Sequence, residues 1–492
     1  MTTRILESAA GPTEVAIAQS TLDKVAACRA FALERIASGA QVYGATTGFG
    51  PLVGFSGRLD SADQCDNAIA HLLAGQGRDL PVRVVRAAVL ARLWSLSQAR
   101  SGVSVATLSA LARMLGTRFA PAVPEFGSVG ASGDLIPLAY VAQALRGHGH
   151  AYLGEARMPA ADALARAGLE PLHLDGRDGL ALVNGTSLTA AAAGLASASL
   201  RRSHSVALML TALLTDILGS TTAFVHPELL EAYGHPDAAA TASDLRRLLA
   251  GCEAGGGRPL QEPYSIRCTP QLLGAVRTAI GFAAGVIDKD LNGVSDNPIF
   301  VPEHAAVLHG GNFFGQPVSF AADSLSSTAV QMGNLAERQL DLLVDSNRNG
   351  GLPPMLAVRP GEQHGVQGVQ LAATATVAAM RRAATPASIQ SLPTNGHNQD
   401  VVPFGTQAAL NTLELAEKLR WLHGSLAVAL CQAVHVGRRR PTARRCARIL
   451  DRLLDIVAPI EPDRPLDTDV RAAAALLDWI ATEEDAQEGA PC

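Results

Sequence analysis

Charge is scarce in this chain. Charged residues fill 17% of the 492 positions and hydrophobic residues 48%. That balance excludes a disordered polymer and points to a folded chain with extensive burial. At this length it also implies that part of the surface is hidden in an oligomer. The net charge is −5, so there is no basic excess to attract nucleic acid. The seven cysteines lack Cys-x-x-Cys or any other paired spacing. Their dispersal fits a reducing compartment better than a disulfide framework. No metal-ligand spacing is present either. The N-terminal stretch MTTRILESAAGPTEVAIAQS lacks the basic-then-apolar order of a secretory signal. The longest apolar run, around Val206 to Leu218, is broken by Asp216 and is short for a membrane span. Internal repeats are lacking, and low complexity is limited to Gly255–Gly257. The expectation is a cytoplasmic protein with no membrane or nucleic-acid partner, of two to four domains by length alone.

What is present falls into two regimes. Up to about residue 200, short helical patterns alternate with Gly-rich turns. The periodicity predicts helices over Thr21–Ser38, Asp60–Leu73, Pro81–Leu96 and Val103–Leu115, with turns and a small hairpin between Gly147 and Asp178. From residue 187 the chain becomes rich in Ala, Leu and Val. Long helices are predicted over Leu188–Leu218, Pro270–Leu291, Pro317–Asp345, His364–Ala384 and Gly405–Val434. Their polar residues are mostly small, and helices apolar nearly all round belong in the core of a large assembly. Shorter amphipathic helices are predicted at Ala443–Ile456 and Val470–Thr482.

The stretch Gly127 to Tyr140, GSVGASGDLIPLAY, stands out. Asp134 is placed to cap a helix, with Pro137 in its first turn. The plain reading is a Gly-rich loop entering a buried helix. The chemical reading is that the small residues Ala131, Ser132 and Gly133 let the backbone cyclise. The Gly133 nitrogen would meet the Ala131 carbonyl carbon, and loss of water would leave a methylidene electrophile. Uncommon polar residues also gather in the loops between the long helices, in LALVNGTS, QEPYSIRC, SDNP, HGGNFFG and TNGHNQD, where sites tend to be built. Each alone reads as a cap or turn residue. His309, His364 and His397 read as isolated loop or core histidines.

The motifs YGATTGFGPL, GSVGASGDLIPLAY, LALVNGTS, PYSIRCTPQ, LNGVSDNP, HGGNFFGQ, GLPP and NQDVV, in this order, resemble the histidine, phenylalanine and tyrosine ammonia-lyase family from about Ala16 to the C-terminal helices. In that family an Ala-Ser-Gly triad becomes 4-methylideneimidazol-5-one, with no metal or external cofactor. The resemblance implies that Ala131, Ser132 and Gly133 do so here. It implies a mainly α fold, a long-helix bundle of the fumarase/aspartase-like superfamily. The N-terminal domain (1–200) would carry the prosthetic group, followed by the central bundle (201–435) and a C-terminal helical part (436–492). It also implies a homotetramer whose sites draw on three subunits.

Residue by residue, the resemblance makes Tyr43 the base for the β-proton, on a lid loop whose glycines, Gly50 among them, allow closure. Asn184 and Tyr264 match residues beside the prosthetic group. Arg267 matches the carboxylate-binding Arg, where a guanidinium fork suits a bidentate contact. Asn312 is expected to assist at the carboxylate, Phe313 to hold the ring plane, and Gln261 and Gln399 to line the amine and carboxylate side. Leu135, Asn395 and Gln367 complete the substrate-binding set. Gln367 departs from the Met or Lys frequent in relatives, and Pro403 from their usual Ser.

The selectivity position is His71–Leu72. Histidine enzymes of the family typically carry Ser-His there, phenylalanine enzymes Phe-Leu, and tyrosine enzymes His-Leu. An imidazole can pair with a phenolic hydroxyl, and a ring lacking that hydroxyl leaves it unpaired. Histidine enzymes also carry Glu in the segment that reads NQD here. The reading is L-tyrosine converted to trans-p-coumarate and ammonia. The alternatives are a tyrosine 2,3-aminomutase, a lyase preferring phenylalanine or histidine, and a non-catalytic helical scaffold.

Overall fold

The computed structural model describes residues 3–488. The chain divides into two compact units, each discontinuous in sequence. The first comprises Met1–Ser197, Ala283–Asp323 and Pro386–Leu410; the second comprises Ala198–Phe282, Ser324–Thr385 and Asn411–Cys492. The linear divisions at 200 and 435 expected from the sequence therefore differ from the observed ones. Four helices have residues in both units: Ser187–Leu218, Thr269–Asn292, Gln316–Val344 and Gly405–Gly437. A fifth long helix, Gln367–Ala383, lies wholly in the second unit.

In the first unit the predicted helices appear at Gln19–Ala37, Ser61–Ala70, Val82–Leu96 and Val105–Leu115. Two starts are capped by side chains: Asp60 accepts from the Asp63 N–H at 2.8 Å, and Ser104 from the Thr107 N–H at 3.1 Å. The expected hairpin is His150–Leu153 with Ala156–Pro159, in register Tyr152 to Arg157, and Phe119–Pro121 adds a third antiparallel strand. Two more antiparallel pairs matter for the site. Gln76–Asp79 pairs with Pro124–Phe126, which leads into the Gly127 loop, and Ile299–Val301 pairs with Ala306–Leu308, which leads into His309–Phe313. Arg86, on the Val82–Leu96 helix, is buried. Its guanidinium donates to the carbonyls of Ala9, Gly11, Leu115, Thr117 and Phe119 at 2.7–2.8 Å. Burying a charge is tolerable only when its donors are satisfied in this way.

In the second unit some polar residues of the long helices find partners, while the Ser203 hydroxyl is buried without one. Ser326 and Thr412 hydroxyls meet at 2.8 Å, and Gln339 Nε2 donates to Thr211 Oγ1 at 2.8 Å and to the Ser265 carbonyl at 2.9 Å. Asp216, the residue that breaks the apolar run, is fully buried. Its carboxylate accepts the Thr442 and Ala443 N–H groups at 3.0 and 2.8 Å, ahead of the Arg444–Leu454 helix. The helices Pro227–Tyr233 and Pro236–Leu248 were not foreseen, because Gly234 and Pro236 interrupt their period. Asp178–Leu218 and Thr269–Asn292 are long and apolar enough for a membrane span, contrary to the sequence reading, but the apolar window of the first is wholly buried in protein.

His423, on the Gly405–Gly437 helix, is buried with Nε2 unpartnered, and burial pushes its pKa down to about 3. Below the ordinary 6.5 the unfolded chain takes up a proton that the folded chain refuses. This stability is present above that pH and is lost as the pH falls toward the folded value, by about 1.4 kcal/mol per pH unit. Chemical denaturation midpoints should fall with acidification in the wild type and fall less steeply in His423→Leu.

Candidate active site

Four helices begin against the loop 127–134. Leu135–Leu145 grows out of it. The Asp134 N–H donates to the Gly185 carbonyl at 2.7 Å, just ahead of Ser187–Leu218. The Gly315 N–H donates to the Gly130 carbonyl at 3.0 Å, ahead of Gln316–Val344, and the Phe404 N–H to the Val129 carbonyl at 3.0 Å, ahead of Gly405–Gly437. Helix N-termini carry partial positive charge, so this loop lies where several such ends converge.

Asp134 occupies the N-cap position of its helix but makes no cap bond, which corrects the sequence reading. Its carboxylate is fully buried and turned inward. Oδ1 accepts from the hydroxyls of Ser128, Thr189 and Thr406 at 2.9, 2.8 and 2.7 Å, and Oδ2 from the Thr189 N–H at 2.9 Å. One charge thus ties the loop to two of the converging helices. Gly133 has φ +69°, and a Cβ there would lie 2.4 Å from the Gly185 nitrogen, so only glycine fits. Its N–H donates to the Phe313 carbonyl at 2.9 Å. Ala131 is buried beside it.

Ser132 opens onto a cavity of about 720 Å³. Its walls bring together Tyr43, Gly50, His71, Leu72, Leu135, Asn184, Phe313, Asn395 and Gln399 from across the sequence. Gln399 Nε2 donates to Ser132 Oγ at 2.6 Å. The Tyr43 hydroxyl oxygen accepts the Gly50 N–H at 2.8 Å, and the Tyr43 N–H donates to His309 Nε2 at 3.3 Å. His309 is therefore not isolated: it anchors the Tyr43 loop. Burial, then the Arg177 charge, holds it below the usual imidazole range and keeps Nε2 an acceptor. His364 is also partnered, its N–H donating to Asp463 at 2.7 Å, and His397 lies exposed in a turn. His71 Nδ1 lies 2.8 Å from the Asn67 carbonyl. A carbonyl only accepts, so Nδ1 carries a proton, and in the neutral ring Nε2 is then the acceptor.

Behind Asn184 lies a buried charged cluster. Arg177 Nη2 donates to Asp296 Oδ1 at 2.8 Å and to the Asn297 carbonyl at 2.7 Å. Arg92 sits within 3.6 Å of the same carboxylate, and burial pulls its pKa down to about 10. Asn184 Nδ2 donates to the Asn297 carbonyl at 2.9 Å, which leaves its Oδ1 buried without a protein partner.

Sequence reasoning missed several lining residues, Phe49 above all. Its ring stacks on His71 (centroids 5.2 Å, planes 21° apart) and meets Tyr43 edge-on at 6.4 Å. The signal was present in TGFG, one residue before Gly50. Asn67, Ile136 and Leu180 also line the cavity, as do Asn297 and Asn398 from the polar loops SDNP and TNGHNQD. Other expected residues stand elsewhere. Asn312 is exposed and does not line it. Gln261, Tyr264 and Arg267 line a second cavity, of about 730 Å³, within the second unit. There the Arg267 guanidinium lies 4.6 Å from the Tyr264 ring centroid, with its buried Nε unpartnered. Gln367 begins the Gln367–Ala383 helix.

Residues 2–455 match the family described as aromatic amino acid lyase. The chain belongs to the aromatic amino acid lyase family. Among similar members are a histidine ammonia-lyase of Anaeromyxobacter sp. (strain K), 38% identical over 96% of this chain and 95% of the relative, and a tyrosine ammonia-lyase of Cereibacter sphaeroides, 38% identical over 95% and 94%. The tyrosine aminomutase of Streptomyces globisporus superposes with a TM-score of 0.91 at 31% identity, over 100% of this chain and 98% of that one. The mainly helical fold is thus that of the ammonia-lyases and aminomutases. This family depends on methylideneimidazolone, and the residues here fit that group. Gly133 is pressed on Gly185 so closely that no side chain is tolerated, Ala131 is buried, Ser132 faces the cavity, and Asn184 Oδ1 is a buried polar atom awaiting a partner.

Proposed function

We propose that this aromatic amino acid lyase converts L-tyrosine to trans-p-coumarate and ammonia, using 4-methylideneimidazol-5-one formed from Ala131, Ser132 and Gly133. The observation that carries the substrate reading is His71. Its proton is committed to the Asn67 carbonyl, so Nε2 offers a lone pair on the wall of the cavity that also holds Ser132 and Tyr43. A phenolic hydroxyl donates to such an acceptor, with Leu72 packing the ring.

When formed, the prosthetic group supplies an electrophile toward the substrate amine, which no ordinary side chain offers. Tyr43, its oxygen fixed by the Gly50 N–H, takes the β-proton. Asn184 holds the triad side of the cavity, Gln399 lines the amine side, and Phe313 bounds the ring plane. Arg267 binds the carboxylate, aided by Asn312, with Tyr264, Gln261 and Gln367 beside it. Since Arg267, Tyr264 and Gln261 line their own cavity in the second unit, we assign the complete site to a homotetramer in which neighbouring copies bring the two groups together. Exposed Leu260, Leu371, Ile389 and Leu392 support such an assembly. The free cysteines, four of them buried among the described residues, support a cytoplasmic location.

Incubation with L-tyrosine should release coumarate and ammonia in equal amounts from the first turnovers. β-Tyrosine accumulating ahead of coumarate would establish the aminomutase instead, a reading that the fold similarity to tyrosine aminomutase keeps in play.

A further inference from the structure

We infer that Gln399 is a positioning residue for the birth of the prosthetic group: its side-chain amide assists the departure of the Ser132 hydroxyl. The inference rests on the prosthetic-group reading above and adds a step to it.

Gln399 Nε2 donates to Ser132 Oγ at 2.6 Å. Three other amides around the cavity have partners of their own. Asn184 Nδ2 donates to the Asn297 carbonyl, Asn297 Oδ1 accepts the Gly310 N–H at 3.0 Å, and Asn67 Oδ1 accepts from Arg58 at 3.3 Å. Gln399 is held by a turn closed in both directions: the Thr394 N–H donates to the Gln399 carbonyl at 3.0 Å, and the Gln399 N–H to the Thr394 carbonyl at 3.3 Å. Inside that turn Asn395 and His397 adopt left-handed φ of +52° and +65°, which costs non-glycine residues energy. Gly50 lies against it, a Cβ there falling 3.8 Å from Asn395 Nδ2. A strained turn that aims one amide at one hydroxyl is an arrangement for chemistry at that oxygen.

The chemistry loses two waters and involves no redox change. In the first loss the Gly133 nitrogen bonds to the Ala131 carbonyl carbon. The carbonyl oxygen departs with the Gly133 and Ser132 amide protons, and a C=N bond forms to the Ser132 nitrogen. In the second, the Ser132 Cα–H electron pair becomes the Cα=Cβ bond, and the Cβ–Oγ bond breaks. Oγ departs as water with its own proton and the Cα proton. Negative charge grows on Oγ as that bond breaks, which is where a donor at 2.6 Å acts. Gln399 touches neither reacting atom of the first loss.

The test is a time course of intact mass on newly translated full-length chain. Wild type should lose two waters. Gln399→Met, of similar length but without a donor, should accumulate a species lacking one water, its second loss slowed about 10²-fold. Equal rates of the second loss in both proteins overturn the inference. So does a variant of native circular dichroism that loses no water, because Gln399 would then act on ring closure. If Gln399→Met does not fold, Gln399→Leu, which also lacks a donor, is read in its place by the same criteria. A wild type that never loses two waters defeats the prosthetic-group reading itself, an outcome distinct from the others.

Discussion

Ser132→Ala should lower kcat/KM for L-tyrosine by at least about 10³-fold while leaving circular dichroism and Tm unchanged. A serine in an enzyme cavity has two chemical uses, as an activated nucleophile or as a precursor of something else. Nucleophilic use requires a base within hydrogen-bond reach. Among the described residues the partner of Ser132 Oγ is the Gln399 amide, which donates and cannot take a proton. The nearest acid in sequence, Asp134, has its carboxylate engaged by Ser128, Thr189 and Thr406. Precursor use requires small neighbours and a pinched backbone, and those are what Ala131 and Gly133 provide. The variant removes one hydroxyl from a cavity wall, so the fold should tolerate it; with the hydroxyl gone, the methylidene cannot form. A variant that keeps activity would show that turnover does not need the Ser132 hydroxyl, and a wild type of unmodified mass would favour the helical scaffold.

The triad and the loops around it were legible because their signals are local. Ala131, Ser132 and Gly133 are contiguous, and each loop carries its own run of uncommon residues at a helix end. The long helices were legible because their apolar periods run for many turns, and their observed ends differ by at most a few residues. Three features were not legible, and each depends on the third dimension. Asp134 looked like a cap because caps are recognised by sequence neighbours, whereas its partners lie on Thr189 and Thr406. Phe49 drew no reading, because nothing in the chain says that its ring will stack on His71. Arg267 matched a carboxylate-binding residue, and nothing in its motif says that it lines a cavity of the second unit.

His71→Phe should reverse the preference between tyrosine and phenylalanine, lowering the ratio of their kcat/KM values by about 10²–10³-fold. Overall similarity is silent on this point, since the histidine and tyrosine ammonia-lyases above are both 38% identical to the chain. The decision falls to the few atoms that face the substrate ring. In the wild type the Asn67 carbonyl holds a proton on Nδ1, which leaves Nε2 of the neutral ring able to accept from a phenol. Phenylalanine leaves that lone pair desolvated and unpartnered, a penalty of about 1–3 kcal/mol. Phenylalanine in place of His71 removes the penalty and strands the phenol of tyrosine instead, so both terms change sign together. Phe49 would still stack on the new ring and Leu72 would still wall it, so the cavity keeps its shape while its hydrogen-bonding preference inverts. Measuring kcat/KM for tyrosine, phenylalanine and histidine on both proteins decides the matter. A wild type that prefers phenylalanine or histidine, or a swap that leaves the ratio unmoved, would show that selectivity is set elsewhere in the cavity and that the His71 lone pair faces something other than the substrate.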